Sequence, residues 1–146
     1  MKKYELTNET YAGDSFIGTL YRIRALRDFG NVKKGTLGGF VKSEDNLSHD
    51  GNCWIWDAAT VYGNARVSGD AQILDCADVG RNAKVYGNAR ISGFANVFGN
   101  AEVFGNARVT GYARVGGNSR VFGDAWIFGA AHIKYDEEIS SGMRSL

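Results

Sequence analysis

The chain has 146 residues, of which 44% are hydrophobic, and its 17 Lys and Arg balance 16 Asp and Glu to a formal net charge of +1. This length and composition fit one globular domain and exclude an intrinsically disordered chain. The 20 glycines occur without any proline, which excludes a collagen-like sequence and indicates that glycine serves regular turns.

We expect no membrane-targeting segment in this sequence. The opening MKKYELTNET lacks an apolar signal-peptide core, and no stretch approaches the roughly 18 apolar residues of a membrane span. We therefore expect a cytoplasmic protein, in the host cytosol, with no membrane partner. Cys53 and Cys76 do not have a metal-ligand spacing, so we expect both to be reduced structural cysteines.

Residues 1–48 precede the repeats and have the pattern of β-strands and turns. Tyr21 and Ile23 alternate with Arg22 and Arg24, as in a half-buried strand, and the segment GNVKKGTLGG that follows is rich in turn residues. We expect residues 1–48 to form a β-rich cap over the open N-terminal end of a solenoid.

Residues 49–139 repeat on a period of six. An aliphatic residue occurs at every sixth position from Ile55 to Ile139, and a small residue, nearly always alanine, follows four positions later. An α-helix cannot use this period, because steps of 100° carry every sixth residue round the cylinder. Each hexad instead predicts a short strand with an inward aliphatic residue, followed by a corner at which glycine adopts positive φ.

The residue after the corner glycine indicates how many hexads close one turn. At a spacing of 18 residues, one corner column is apolar or aromatic and the other two are nearly all Asn or Asp. We therefore predict an all-β, three-sided parallel β-helix with three hexads per turn and about five turns. Residues 140–146 are expected to form a polar C-terminal tail that ends the stacking.

The same register aligns outward side chains in columns. One predicted column alternates in charge and contains Lys84, Glu102, Arg120 and Glu138. A neighbouring predicted column is aromatic and contains Tyr86, Phe104 and Phe122. Stacked neighbours of opposite charge are favourable, although each exposed pair contributes only about 0–1 kcal/mol.

Hexads such as VYGNAR, VFGNAE and VTGYAR resemble the hexapeptide repeats of left-handed parallel β-helix proteins, over residues 49–144. The resemblance implies a left-handed coil that assembles as a homo-oligomer, either a trimer or a dimer. The preceding segment, LYRIRALRDFGNVKKGTLGGFVKSEDNLSHDGNCWI, is similar to the lead-in of hexapeptide-repeat proteins encoded by phages and prophages. That similarity implies a counter-defence role, such as inhibition of a host CRISPR nuclease.

Residues able to carry chemistry are few. Many left-handed β-helix proteins are acyltransferases with a catalytic histidine, whereas this chain has only His49 and His132. Two histidines cannot supply the three that the carbonic anhydrases of this fold need for their metal. No P-loop or nucleophile elbow occurs either. We therefore predict no catalytic residue, metal site or cofactor, while an acyltransferase remains the enzymatic alternative.

Aromatic and basic residues instead predict an interaction surface. Within residues 79–120, six basic residues stand against one acidic residue. The side chains that we expect to form the surface are Tyr86, Phe94, Phe98, Phe104, Tyr112, Phe122, Trp126, Arg90, Arg108 and Arg114. So many outward aromatic rings exceed what a monomer leaves open to water, and aromatic residues next to arginine are typical interface anchors.

Three functional hypotheses follow. The first is a non-catalytic phage or prophage binding protein that docks on a host defence protein. The second is a small-molecule binder, either a degenerate acyltransferase or a protein that sequesters a nucleotide signal between subunits. Binding of nucleic acid by Arg90, Arg108 and Arg114 is a less favoured version of this second hypothesis. The third is a structural component of the virion.

Overall fold

The computed structural model describes residues 2–145, which form an all-β parallel solenoid. Within that range there is no α-helix, and one 3-10 helix spans Glu44–Asn46. The described residues therefore contain no helix that is long and apolar enough to cross a bilayer. The fold class predicted from the six-residue period is therefore confirmed, while the left-handed winding implied by the resemblance remains a prediction.

An antiparallel hairpin begins the chain and leads into the coil. Strand β1 (Tyr4–Ala12) pairs with β2 (Thr19–Ala25), and β2 pairs with β3 (Leu37–Val41), in both cases antiparallel. β3 then pairs in parallel with the first repeat strand of its sheet. The hairpin is thus an extension of one sheet of the solenoid.

Two-residue strands build the three faces of the solenoid. Face 1 extends the sheet of β3 and contains β5 (Thr60–Val61), β8 (Asp78–Val79), β11 (Asn96–Val97), β14 (Arg114–Val115) and β17 (His132–Ile133). Face 2 contains β6 (Arg66–Val67), β9 (Lys84–Val85), β12 (Glu102–Val103), β15 (Arg120–Val121) and β18 (Glu138–Ile139). Face 3 contains β4 (Trp54–Ile55), β7 (Gln72–Ile73), β10 (Arg90–Ile91), β13 (Arg108–Val109), β16 (Trp126–Ile127) and β19 (Met143–Arg144).

The solenoid has about six turns, of which the first is irregular. That turn runs from β3 through Leu47, which forms a parallel bridge with Val67, to β4. Above it, paired residues lie 18 positions apart in the sequence, as in Arg90 opposite Arg108, except that β16 and β19 pair at a spacing of 17. The backbone N–H of Arg90 donates to the carbonyl of Ala107 at 3.0 Å, and the same bond recurs from turn to turn.

Inward aliphatic and alanine side chains fill the interior. Val109 and Ala107, like their counterparts in the turns above and below, have no exposed surface. Most corners hold glycine, and Gly105 illustrates the two reasons: its φ is +65°, and a Cβ there would lie 2.9 Å from the backbone nitrogen of Gly123 in the next turn. Four other corners adopt positive φ with Asp57, Asp75, Arg81 and Tyr135. The interior therefore restricts two positions of each hexad and the corner restricts a third, while the outward positions are free to vary.

A buried lysine closes the base of the coil. Each carbonyl of a regular turn accepts a hydrogen bond from the turn before it, so the carbonyls of the first turn need another donor. The fully buried Lys3 supplies one, since its ammonium lies 3.4, 3.3 and 2.8 Å from the carbonyl oxygens of Asp50, Gly51 and Cys53. Burial lowers the pKa of Lys3, and the adjacent Cys53 sulfur opposes that shift.

We predict that Val109→Asp unfolds the coil. A carboxylate at this position would enter an apolar interior without a partner, at a cost of about 5 kcal/mol or more, which is comparable to the whole stability of a small domain. Loss of the β-sheet circular dichroism signal would confirm it. The matched control is Arg108→Asp, the adjacent outward residue of the same strand, which should fold normally. A folded Val109→Asp protein would show that the inward register is wrong.

We also predict that Lys3→Met destabilises the protein by about 3 kcal/mol, because three buried carbonyls lose their donor. The neighbouring Lys2 is exposed, and among residues 2–145 it forms an ion pair with Glu44 alone, at 3.1 Å, so Lys2→Met should cost less than about 1 kcal/mol. Urea unfolding of both variants measures the difference. Equal stabilities would refute the capping role of Lys3.

Candidate interaction surface

The residues predicted to form one surface lie at four places on the solenoid. They fall into the face 2 corner column Tyr86, Phe104 and Phe122; the face 3 residues Arg90, Arg108 and Trp126; the face 1 residues Phe98 and Arg114; and the corner between faces 3 and 1, with Phe94 and Tyr112. The ten side chains therefore do not converge on a single site. Their contacts show which of them are available to a partner.

The face 2 column is covered by its own chain. The ring centroids of Tyr86 and Phe104 are 4.9 Å apart, and those of Phe104 and Phe122 are 5.0 Å apart, with nearly parallel planes. The Arg120 guanidinium lies 5.1 Å from the Phe104 centroid and 5.6 Å from that of Phe122. All three rings are consequently half-buried.

Arg120 and Glu102 contact aromatic side chains and do not form an ion pair with each other. The backbone register aligns Lys84, Glu102, Arg120 and Glu138 as predicted. None of the four is in a salt bridge with another described residue. Arg120 lies over the aromatic rings, and Glu102 accepts a hydrogen bond of 2.8 Å from the Tyr86 hydroxyl. A cation–π contact or a hydrogen bond stabilises the protein about as much as an exposed ion pair, because exposed ion pairs are weak.

On face 1, aromatic rings lie across glycines of the next turn. A Cβ on Gly116 would be 2.4 Å from the ring of Phe98, and a Cβ on Gly80 would be 2.4 Å from the ring of Tyr62. Arg114 also lies over the Phe98 ring, with its guanidinium 5.1 Å from the centroid. The sequence signal for this arrangement is a pair of residues 18 positions apart, an aromatic residue first and a glycine second, each directly after the inward aliphatic residue of its hexad.

Face 3 carries two adjacent arginines. Arg90 pairs with Arg108 in the strand register, and the Arg108 guanidinium lies 4.9 Å from the ring of Trp126. The Trp126 indole donates a 3.0 Å hydrogen bond to the Thr110 hydroxyl. Trp126 is thus held in place, and both arginine head groups face solvent.

Phe94 and Tyr112, which we name the aromatic edge, remain uncovered. Their centroids are 5.1 Å apart with planes inclined by 7°, and the two side chains are 57% and 67% exposed. Both project from the corner between faces 3 and 1, flanked by Arg108 on one face and Arg114 on the other. The aromatic edge is therefore the part of the predicted surface that presents apolar area to a partner.

The two histidines have different environments. His49 stacks on Tyr4 at 4.2 Å, accepts the backbone N–H of Lys3 at 3.1 Å and contacts Glu44 at 2.9 Å, so it belongs to the N-terminal packing. His132 is exposed on face 1, and partial desolvation together with the Arg114 cation holds its pKa below the usual value. A neutral imidazole at this position can accept a proton.

Among residues 2–145, no group of three or more His, Cys, Asp or Glu side chains is placed to hold a metal ion. Cys53 is buried and Cys76 is exposed, and both are free thiols. Cys76 lines a cleft of about 480 Å³ together with Tyr11, Phe40 and Asp78. Sequence reasoning missed this cleft because Tyr11 belongs to the N-terminal hairpin, whose position over face 1 follows no repeat.

Comparison with known proteins supports the solenoid repeat. A family model described as the YdcK beta solenoid repeat matches residues 59–75 and 101–117. A protein of Escherichia coli (strain K12) named "Uncharacterized acetyltransferase YdcK" is 39% identical over 77 aligned residues, which cover 48% of this chain. The aligned part is 24% of that relative, so the chain spans about a quarter of the length of the curated protein it matches.

We predict that Asp78→Asn stabilises the protein at pH 7. Burial raises the pKa of Asp78 above its usual value, against a smaller opposite effect of the hydrogen bond from the Thr60 hydroxyl. A raised folded-state pKa means that the folded protein binds the proton more tightly than the unfolded chain does. The free energy of unfolding therefore falls as the pH rises through that pKa and the carboxylate becomes charged. The gain in melting temperature should therefore shrink as the pH falls toward 4. A gain that stays constant with pH would contradict the assignment.

Proposed function

We propose that the protein is a non-catalytic binding protein that docks on a host defence protein through the aromatic edge. The exposure of Phe94 and Tyr112 is the observation that carries the proposal. The other aromatic residues of the candidate surface are covered by arginines, by glycines of the next turn or by one another. Two stacked rings left open to water are the kind of anchor that interface hot spots use.

The backbone presents these rings in a fixed geometry. Gly93 and Gly111 form the corners at φ +66° and +67°. The backbone N–H of Phe94 donates to the Gly111 carbonyl at 2.7 Å, and that of Tyr112 donates to the Gly129 carbonyl at 2.8 Å. Because the rings are ordered before binding, the partner does not have to supply the free energy that fixes them.

Charge favours an acidic partner surface. Arg108 and Arg114 flank the aromatic edge, and neither forms a salt bridge with a carboxylate of the described residues. Arginine beside an aromatic ring can bind a carboxylate in a bidentate manner while the ring is buried. An acidic and partly apolar patch on a folded protein would complement both groups.

The counter-defence role and the phage or prophage origin belong to this proposal and rest on the resemblance of residues 20–55. Assembly as a trimer or dimer is part of the same proposal. In such an assembly the contacts between copies would leave the aromatic edge open.

A second candidate function is acyl transfer, which the name of the Escherichia coli relative favours. His132 is the residue on which it would depend, because it is exposed and its lowered pKa leaves the imidazole able to act as a base. Transfer of the acetyl group from acetyl-coenzyme A to an added hydroxyl or amino acceptor, with release of free coenzyme A and loss of both products in His132→Ala, would establish this function. The same result would contradict the non-catalytic proposal.

We predict that the double substitution Phe94→Ser and Tyr112→Ser abolishes partner capture. Loss of an interface hot spot typically costs 2 kcal/mol or more, so the affinity should fall by about 30-fold or more. Tagged proteins would be incubated with lysate of the bacterial host, and proteins retained in fixed proportion would be quantified. The fold should be unaffected, because both side chains are exposed.

The matched control for this experiment is Phe16→Ser. Phe16 is 89% exposed but lies in the turn between β1 and β2, away from the aromatic edge. This variant should retain the partner at the wild-type level. Equal retention by the double variant and the control would contradict the proposed docking surface.

A further inference from the structure

Two arginines on face 3 lie next to each other in neighbouring strands, where their like charges repel. Arg90 and Arg108 occupy directly opposed positions in neighbouring strands. Like charges at such positions are destabilising. Neither guanidinium has a salt-bridge partner among the described residues. In the turn below, Gln72 occupies the same column, which shows that the fold accepts a neutral side chain there.

A cleft opens beside Arg90, on the side of the N-terminal segment. It has a volume of about 390 Å³ and lies between residues 30–32 and the lower turns of face 3. Trp56, Leu74 and Gln72 line it together with Arg90. Sites for small molecules typically have volumes of roughly 300–1,000 Å³, so the cleft has room for a ligand of the size of a mononucleotide.

Hydrogen bonds hold the lining of this cleft in place. The Gln72 amide oxygen accepts a 2.6 Å bond from the Trp56 indole, and its amide nitrogen donates to the carbonyls of Asn52 and Asp70 at 3.0 and 3.2 Å. The Trp56 ring therefore has a fixed orientation. A wall with these contacts does not need to rearrange when a planar group binds against it.

The lining of the cleft carries charged groups of both signs. Arg90 supplies a cation at the end adjoining Arg108, while Asp70 supplies a carboxylate elsewhere in the lining. One Asp70 oxygen accepts the Asn52 backbone N–H at 3.1 Å, which leaves further acceptor capacity. A ligand that matches these groups has an anionic group together with hydroxyl or amino donors.

We propose that this cleft binds a nucleoside monophosphate, a function that goes beyond docking on a protein. The phosphate is bound by Arg90 and Arg108, whose mutual repulsion it relieves. The nucleoside lies in the cleft against Trp56 and Leu74, with Asp70 accepting hydrogen bonds from its hydroxyl or amino groups. The wall formed by residues 30–32 favours a compact ligand over an extended acidic peptide.

The proposal is tested by calorimetric titration of the purified full-length chain with the four common nucleoside 5′-monophosphates. Inorganic phosphate and the corresponding uncharged nucleosides are titrated in parallel. Arg90→Gln and Arg108→Gln should each weaken binding of the preferred monophosphate by about tenfold or more. Arg120→Gln is the matched control, since Arg120 also lacks a salt bridge but lies on face 2, and it should bind like the wild type.

A second readout is the melting temperature without ligand. Because Arg90→Gln removes one of two like charges in neighbouring strands, this variant should melt at or above the wild-type temperature while losing the increase that the monophosphate produces. This result also shows that the loss of binding is not a loss of folding.

Three outcomes would overturn the proposal. One is that no monophosphate binds. Another is that inorganic phosphate binds as tightly as the monophosphates, since the cleft would then contribute nothing. The third is that Arg120→Gln weakens binding as much as the face 3 variants, which would indicate general attraction of anions to the basic surface. Binding retained in the Phe94→Ser and Tyr112→Ser protein would separate this site from the docking surface.

Discussion

Each regular turn of this solenoid has to close in 18 residues around an interior only wide enough for aliphatic and alanine side chains, and the rest of the structure depends on that constraint. Closure needs corner residues at positive φ, and stacking brings one corner backbone against the next, as at Gly105 and Gly123. The backbone hydrogen bonds then run between turns. Stability therefore resides in the inward and corner positions, so outward residues can change with little effect on the fold.

Because outward positions are free, their chemistry indicates function more directly than in most folds. The 18-residue spacing stacks every outward side chain on its counterparts, so each has neighbours that can cover it or repel it. Phe104 is covered by Arg120, and Phe98 by Arg114, whereas Phe94 and Tyr112 cover only each other. Arg90 and Arg108 are stacked although they repel. The uncovered rings and the opposed arginines both depart from local stability, and the proposed functions rest on them.

The repeat made the core predictable, since the period alone places Val109 and Ala107 inside and glycine at the corners. The surface contacts were less predictable, because Arg120 could pair with Glu102 or lie over Phe104, and the two arrangements differ little in free energy. The N-terminal contacts were not predictable at all. Lys3 reaches carbonyls some fifty residues away in the sequence, and residues 30–32 wall the cleft on face 3, but neither follows from the period. Sequence analysis therefore found the arginines and the aromatic rings without finding which of them share a site.

The central claim is that the aromatic edge serves a foreign partner and not self-assembly. Native mass spectrometry of the purified protein and of its Phe94→Ser and Tyr112→Ser variant, each over a range of concentrations, tests it most directly. If the edge is reserved for a partner, the two proteins will have the same number of subunits at every concentration. A smaller assembly for the variant would show that the two rings join copies of this chain, and it would contradict the account.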